Sequence, residues 1–299
     1  MSCAKVLTAC SRDGVLRTGF LLCFLPEYLV DGDRKDDYDD TKTVLQVPWM
    51  GVVTMAFSHY RRFYRTLWPG VRPAFQSAEF ADGASRVRAL AERLAATLGS
   101  NCLLEPLRAA GYAPREIDQI RNLISVFHFG NVPYATLATM ARALLQGHEL
   151  APTDASFSPF QGRHAPDVQV PFVLMEAHHV EGPTRALYED IKQQLGLPFV
   201  NTDYRALARW PTYFAAAWHA LRPHVQTPEY ERAIEEIHHL LVELTAKLPN
   251  PTGLTSAALR QAATDDGSLE DIRRTVELFQ WLLPGLILNV ACFRAQLAT

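Results

Sequence analysis

Asp203 and Asn131 are the side chains best placed to do chemistry, because each is polar where an internal copy of the same sequence is apolar. The chain carries Val47-Pro-Trp-Met-Gly-Val-Val53 and, 150 positions later, Leu197-Pro-Phe-Val-Asn-Thr-Asp203, which sets Asp203 against Val53 and Asn201 against Gly51. Conversely, Phe127-His-Phe-Gly-Asn131 aligns with Phe279-Gln-Trp-Leu-Leu283, which sets Asn131 against Leu283. In a duplicated chain the shared residues mostly serve packing. One polar group from each copy is what a single asymmetric site between the copies needs. A carboxylate there takes up a proton, and a carboxamide both donates and accepts hydrogen bonds. Plainer readings stand beside this one. Asp203 could cap the helix that follows it, Asn131 after Gly130 could close a helix in the left-handed region, and Trp49 and Phe199 after their prolines could be core aromatics.

Other chemistries have weaker signals. Glu176-x-x-His179, Glu235-x-x-His238 and Glu236-x-x-His239 have the i, i+3 spacing of helical di-metal carboxylate proteins,. Ser85 and Arg88 occupy the first-copy positions of Glu235 and His238, so no mirrored ligand set exists, and no His-Glu-x-x-His occurs,. A glycine-rich phosphate loop and a G-x-S-x-G elbow are both missing. These absences argue against nucleotide and serine-hydrolase chemistry.

The elements that must hold these residues come in two sets. A constant offset of 150 pairs Tyr38/Tyr188, Asp40/Asp190, Lys42/Lys192, Pro48/Pro198, Trp68/Trp218, Arg72/Arg222, Pro73/Pro223, Gln76/Gln226 and Leu90/Leu240. After a two-residue slip the match resumes at Ile120/Ile272, Arg121/Arg273 and Phe127/Phe279,. The periodicity is helical throughout. Ala84 to Leu98 carries Val87, Leu90, Leu94 and Leu98 on one stripe, and Glu229 to Leu248 carries Ile234, Ile237, Leu241, Leu244 and Leu248,. Pro114 opens a further helix at its first turn, and Pro133 and Pro284 predict a proline-broken helix in each half. The reading is an all-α pseudo-dimer with about six helices per repeat: residues 26–146 and 185–299 as the repeats, 147–184 as a Pro- and Gly-bearing connector, and 1–25 as an N-terminal extension. The groove between the repeats is the natural site.

Composition narrows the rest. Of 299 residues 48% are hydrophobic, and 29 basic against 32 acidic side chains leave a net charge of −3. Disordered and fibrous classes are excluded, and nucleic acid and anionic membranes become poor partners. Cys3, Cys10, Cys23, Cys102 and Cys292 are odd in number and scattered without a C-x-x-C, which fits a reducing cytoplasm,. The apolar run Gly19 to Leu25 is far below the ~20 residues of a membrane span. An exposed face on either repeat leaves room for a homodimer.

Three strings then carry a resemblance: Tyr38-Asp-Asp-Thr-Lys-Thr-Val-Leu-Gln-Val-Pro-Trp49, the stretch from Leu107-Arg-Ala-Ala-Gly-Tyr112 to Phe127-His-Phe-Gly-Asn131, and Asp203-Tyr-Arg-Ala-Leu-Ala-Arg-Trp-Pro211. In order and spacing, over about residues 26 to 297, they resemble the group I 2-haloacid dehalogenases, an all-α family of two tandem repeats. The resemblance implies direct hydrolysis. An aspartate activates a water that displaces halide from the α-carbon of a short 2-halocarboxylic acid with inversion, without metal, cofactor or ester intermediate. Asp203 matches the base and Asn131 the residue that helps hold the water; Trp49 matches a pocket aromatic, and Thr202 takes a place held by serine. A site of this kind needs apolar walls for the alkyl and halogen end, for which Trp49, Val52, Phe127, Phe199 and Phe279 are candidates, and donors for the carboxylate, for which the Thr202 hydroxyl and nearby backbone N–H groups are candidates. Val52 stands where the family has an aromatic, and Phe279 where it has a tyrosine. Asn201 is the residue of D-selective members, where members acting on both enantiomers carry alanine, so the expectation is a D-selective enzyme. The alternatives are an enzyme for both enantiomers and a non-catalytic helical protein that binds small acids.

Overall fold

Residues 2–5, 9–10, 16–17, 21–99, 101–152, 157–167, 171–267 and 269–298 are described by a computed structural model. Among them twelve α-helices follow one another: α1 (Gly32–Leu45), α2 (Val52–His59), α3 (Arg61–Val71), α4 (Ala78–Leu98), α5 (Leu104–Ala109), α6 (Pro114–Leu145), α7 (Gly182–Leu195), α8 (Thr202–Leu207), α9 (Pro211–Leu221), α10 (Pro228–Lys247), α11 (Ser256–Asp265) and α12 (Leu269–Ala295). The fold is all-α. The starts of α1 to α4 recur 150 positions later as those of α7 to α10.

The residues repeated in the sequence are struts. Trp68 Nε1 donates to Asp40 Oδ2 at 2.8 Å while the Arg72 guanidinium forks onto the same carboxylate, tying α3 to α1. Trp218 Nε1 donates to Asp190 Oδ2 at 2.7 Å and Arg222 forks onto it, tying α9 to α7. The guanidinium holds each carboxyl below the ordinary aspartate range,. The caps match too: Ser77 Oγ accepts from Phe80 N–H to start α4, and Thr227 Oγ1 accepts from Tyr230 N–H to start α10,.

Helices α4, α6, α10 and α12 each touch the other three and form the centre of the molecule. Every residue from Gly130 to Ala141 in α6 is buried, and from Leu282 to Phe293 in α12 all but Gly285 are, as expected of stretches enclosed on all sides,. Helix α12 is long and apolar enough to cross a bilayer by composition, but 78% of that stretch is buried against the rest of the chain.

Three local features depart from the sequence reading. Pro133 and Pro284 do not break their helices: each lies inside a continuous helix. A proline removes one i→i−4 bond, and in these two helices close packing on every side sustains the remaining turns. The described amino-terminal residues form short strands: β1 (Ser2–Lys5) pairs antiparallel with β4 (Leu21–Phe24), and β2 (Ala9–Cys10) with β3 (Leu16–Arg17). The last of these strands reaches the helical core, since Leu22 is fully buried and the Leu25 carbonyl accepts from the Tyr38 hydroxyl at 2.8 Å. Finally, α7 starts at Gly182, with Pro183 in its first turn, inside the span read as connector,.

Gln46 ends α1 in the left-handed region at φ 55°, where Gly196 ends α7 at φ 62°. A side chain at this position costs backbone strain, and here it clamps the connector: Gln46 Oε1 accepts from the His164 and Ala165 N–H groups, and Nε2 donates to the Gly162 carbonyl.

Candidate active site

Asp203 and Asn131 meet. Asn131 Nδ2 donates to Asp203 Oδ1 at 2.7 Å, with both residues 2% exposed. The plainer readings of these two residues fall. Asn201, not Asp203, precedes the first turn of α8, and it makes no side-chain cap bond. Asn131 sits in mid-helix, far from either end of α6. Burial drives the Asp203 carboxyl from its ordinary 3.8 up to about 7, against the opposing pull of the Asn131 hydrogen bond, its own backbone N–H and the charge of Arg205,.

Gly130 explains how the tryptophan comes so close. A Cβ there would lie 2.3 Å from Trp49 Cη2 and 3.0 Å from Val47 Cγ1, so the bare backbone of α6 is the surface on which the indole rests, one residue from Asn131,. Phe127, one turn earlier, meets the indole edge-on with ring centroids 5.0 Å apart. Tyr134, one turn later, lies 5.6 Å away. Its hydroxyl donates to the Trp49 carbonyl at 2.5 Å and accepts from the Gly51 N–H at 2.8 Å, which fixes the turn before α2 to α6. Phe172, from the connector, stacks on Trp49 at 5.4 Å and 12°.

The remaining predicted residues divide. Val52 opens α2 beside this turn and is buried. Thr202 is buried at the start of α8, where its Oγ1 accepts from Arg205 Nη2 at 3.2 Å. Phe279 belongs to a second aromatic group, 6.2 Å from Phe199 and 6.2 Å from Phe57. Asn201 and Tyr204 line a separate groove of about 640 Å³ between α7, α10 and α12, whose walls include neither Asp203 nor Asn131. The Asn201 Oδ1 is buried without a partner. Tyr230, Asn289 and Tyr204 form a hydrogen-bonded chain along that groove.

Sequence reasoning missed Tyr134, Phe172, Arg205 and Glu176. Tyr134 was recoverable as the i+3 neighbour of Asn131 on one helix face. Phe172 carries no periodic signal. Glu176 attracted attention as half of a Glu-x-x-His pair, yet both its oxygens accept from Arg205 Nη1, at 2.8 and 2.7 Å. Among the described residues no group of three or more His, Cys, Asp or Glu side chains converges as metal ligands would.

Comparison with known proteins adds an independent line. No family model matches the chain. It is 41% identical to an (R)-2-haloacid dehalogenase of Rhizobium sp. (strain NHG3) over 231 residues, 77% of this chain and 89% of that one. It is 34% identical to an (R)-2-haloacid dehalogenase of Pseudomonas putida over 279 residues, 91% of each. A solved structure of D-2-haloacid dehalogenase in complex with L-LA superposes with a TM-score of 0.87 at 31% identity, covering 93% of this chain and 97% of that one.

Proposed function

The chain belongs to the (R)-2-haloacid dehalogenase family, and from that premise we propose that Asp203 is the general base of a hydrolysis that needs no cofactor. The enzyme cleaves the carbon–halogen bond of 2-haloacids. The observation that supports this assignment of the base is the buried 2.7 Å bond from Asn131 to Asp203. Because the amide N–H is given to the carboxylate, the Asn131 carbonyl oxygen is left to accept from the same water that Asp203 deprotonates. With both hydrogens so engaged, an oxygen lone pair is directed at the α-carbon. The C–O bond forms as the C–X bond breaks, halide leaves with the electron pair, and the proton rests on Asp203 before passing to solvent. Trp49, Phe127 and Phe172 supply apolar surface and exclude competing water. In this reading the two polar groups come from two repeats of one helical unit facing each other, which the paired Asp–Trp–Arg struts support.

The raised carboxyl has a kinetic signature. A base must be ionised in the free enzyme, so kcat/KM for 2-chloropropionate should climb roughly tenfold per pH unit below about 7 and level off above it,. A limb near 4 would show that another group is titrating.

We further propose selectivity for the D-enantiomer, as the names of the relatives suggest. Incubation with racemic 2-chloropropionate should release halide from half of the substrate and yield L-lactate alone. Equal turnover of (R)- and (S)-2-chloropropionate would sink the selectivity, and absence of halide from either would sink the assignment of function.

A further inference from the structure

Threonine hydroxyls inside these helices usually have an acceptor for their proton. Thr41, Thr136, Thr139 and Thr245 each donate to the carbonyl four residues earlier, at 2.7 to 2.9 Å. Thr202 is different. It is 5% exposed, its Oγ1 accepts from Arg205, and among the described residues its proton has no acceptor. Arg205 is itself unusual. Its side chain is 15% exposed, Nη1 is fixed by both oxygens of Glu176, Nη2 is given to Thr202, and Nε is buried without a partner. The backbone holds the arrangement from behind: Met175 N–H donates to the Arg205 carbonyl, and the Met175 carbonyl accepts from the Tyr188 hydroxyl.

We infer that Arg205 is a positioning residue for the reaction: braced by Glu176, it binds the oxygen of Thr202 so that the hydroxyl proton is left for the substrate carboxylate, and its charge favours the anionic form of Asp203 beside that second anion. The inference rests on the function proposed above. Burial opposes ionisation of Asp203; the Asn131 hydrogen bond and the Asp203 backbone N–H offset part of it, and the charge of Arg205 adds to them. Helix α6 meets it with the neutral Asn131 amide. Among titratable side chains of the helices packed on α8, His128 is pushed down to about 3, and Tyr134 and Tyr213 are pushed up, all by burial, so all three are neutral near pH 7,. Tyr204, adjacent on α8, is pushed up and neutral likewise. The Arg205 guanidinium is the charge that acts on Asp203, and Glu176 tempers it.

Four single variants and one double variant of the full chain separate the two roles. Arg205→Met should raise KM for (R)-2-chloropropionate by roughly tenfold or more, the worth of a charge-assisted hydrogen bond, and move the lower limb of the kcat/KM profile to higher pH. Arg205→Lys, which keeps the charge and loses the fork, should restore the limb but not KM. Thr202→Val should raise KM with the limb unmoved, and adding Arg205→Lys to it should raise KM no further. Glu176→Gln should move the limb to lower pH, because the tempering anion is gone, and it covers the case in which Arg205→Met fails to fold. A KM and a limb equal to wild type in Arg205→Met, or in Arg205→Lys and Glu176→Gln together if that variant does not fold, overturn the inference, as does additivity in the double variant. Titration of Asp203 by carbon NMR, assigned with Asp203→Asn, needs no turnover. A wild type that releases no halide therefore refutes the proposed function, while an Asp203 that titrates identically with and without Arg205 refutes this inference.

Discussion

Asp203→Asn is expected to lower halide release by about 10² to 10⁴-fold, the usual worth of a positioned general base, while making the folded protein more stable than wild type at pH 8. The substitution keeps the volume and an oxygen that accepts from Asn131, so packing around α8 is preserved. What it removes is a buried charge. Folded Asp203 keeps its proton up to about 7, whereas an ordinary aspartate loses it near 3.8. The stability this group contributes is therefore full below 3.8 and is lost as pH rises towards 7, about 4 kcal/mol over that window. The variant lacks this loss. Its advantage over wild type should be small at pH 4, grow across the window and reach its full extent by pH 8. Denaturant titrations of both proteins at the two pH values measure it. A variant that is inactive and also less stable at pH 8 would mean that Asp203 is held by interactions that outweigh its desolvation, and that its ionised form is structural.

That opposition between stability and activity explains why this residue was visible in the sequence. Positions that serve packing must satisfy the same constraints in both copies of a duplicated helical unit, and Asp40, Trp68 and Arg72 with Asp190, Trp218 and Arg222 do so with the same three-residue strut. A buried carboxylate against an amide satisfies no packing constraint. It appears once, opposite Val53, as Asn131 appears once, opposite Leu283. The helix order and the stripe of apolar residues were legible for the same reason, since helical period is a local property of the chain.

What was not legible depends on which segment touches which. Phe172 stacks on Trp49 from a connector without periodicity, and Arg205 reaches Glu176 across 29 positions. Nothing in either stretch announces its partner. Gly130 and Pro133 were legible as residues but misleading as signals. Beside an asparagine, glycine suggests a helix end, and proline suggests a break. In a helix enclosed on all sides, tertiary contacts override both local preferences. Gly130 is there because an indole needs the space.

Gly130→Ala tests that last point and is expected to have the second largest effect. In an ordinary helix interior the change would stabilise by roughly 0.5–1 kcal/mol. Here the new methyl group would stand 2.3 Å from Trp49 Cη2 and 2.9 Å from Cζ3, closer than any real contact, so the indole or the backbone of α6 must move. The indole cannot slide freely. Phe172 stacks on it, Phe127 meets it edge-on, and the Trp49 backbone carbonyl is held by Tyr134, itself on α6. Overpacking of this kind costs about 1–3 kcal/mol, which offsets or exceeds the gain in helix propensity. The larger consequence is for catalysis, because the displaced wall adjoins Asn131. A shift of about 1 Å in a positioned group costs on the order of 10²-fold, and kcat/KM should fall by about that much with little change in the pH at which activity appears. Gly285→Ala is the control. It lies inside α12, where the added methyl would meet Ile234 Cδ1 at 3.3 Å, close to ordinary contact with the end of a flexible side chain. That variant should keep its activity and gain up to about 1 kcal/mol. Equal behaviour of the two variants would show that the glycine in α6 is not what lets Trp49 close the site.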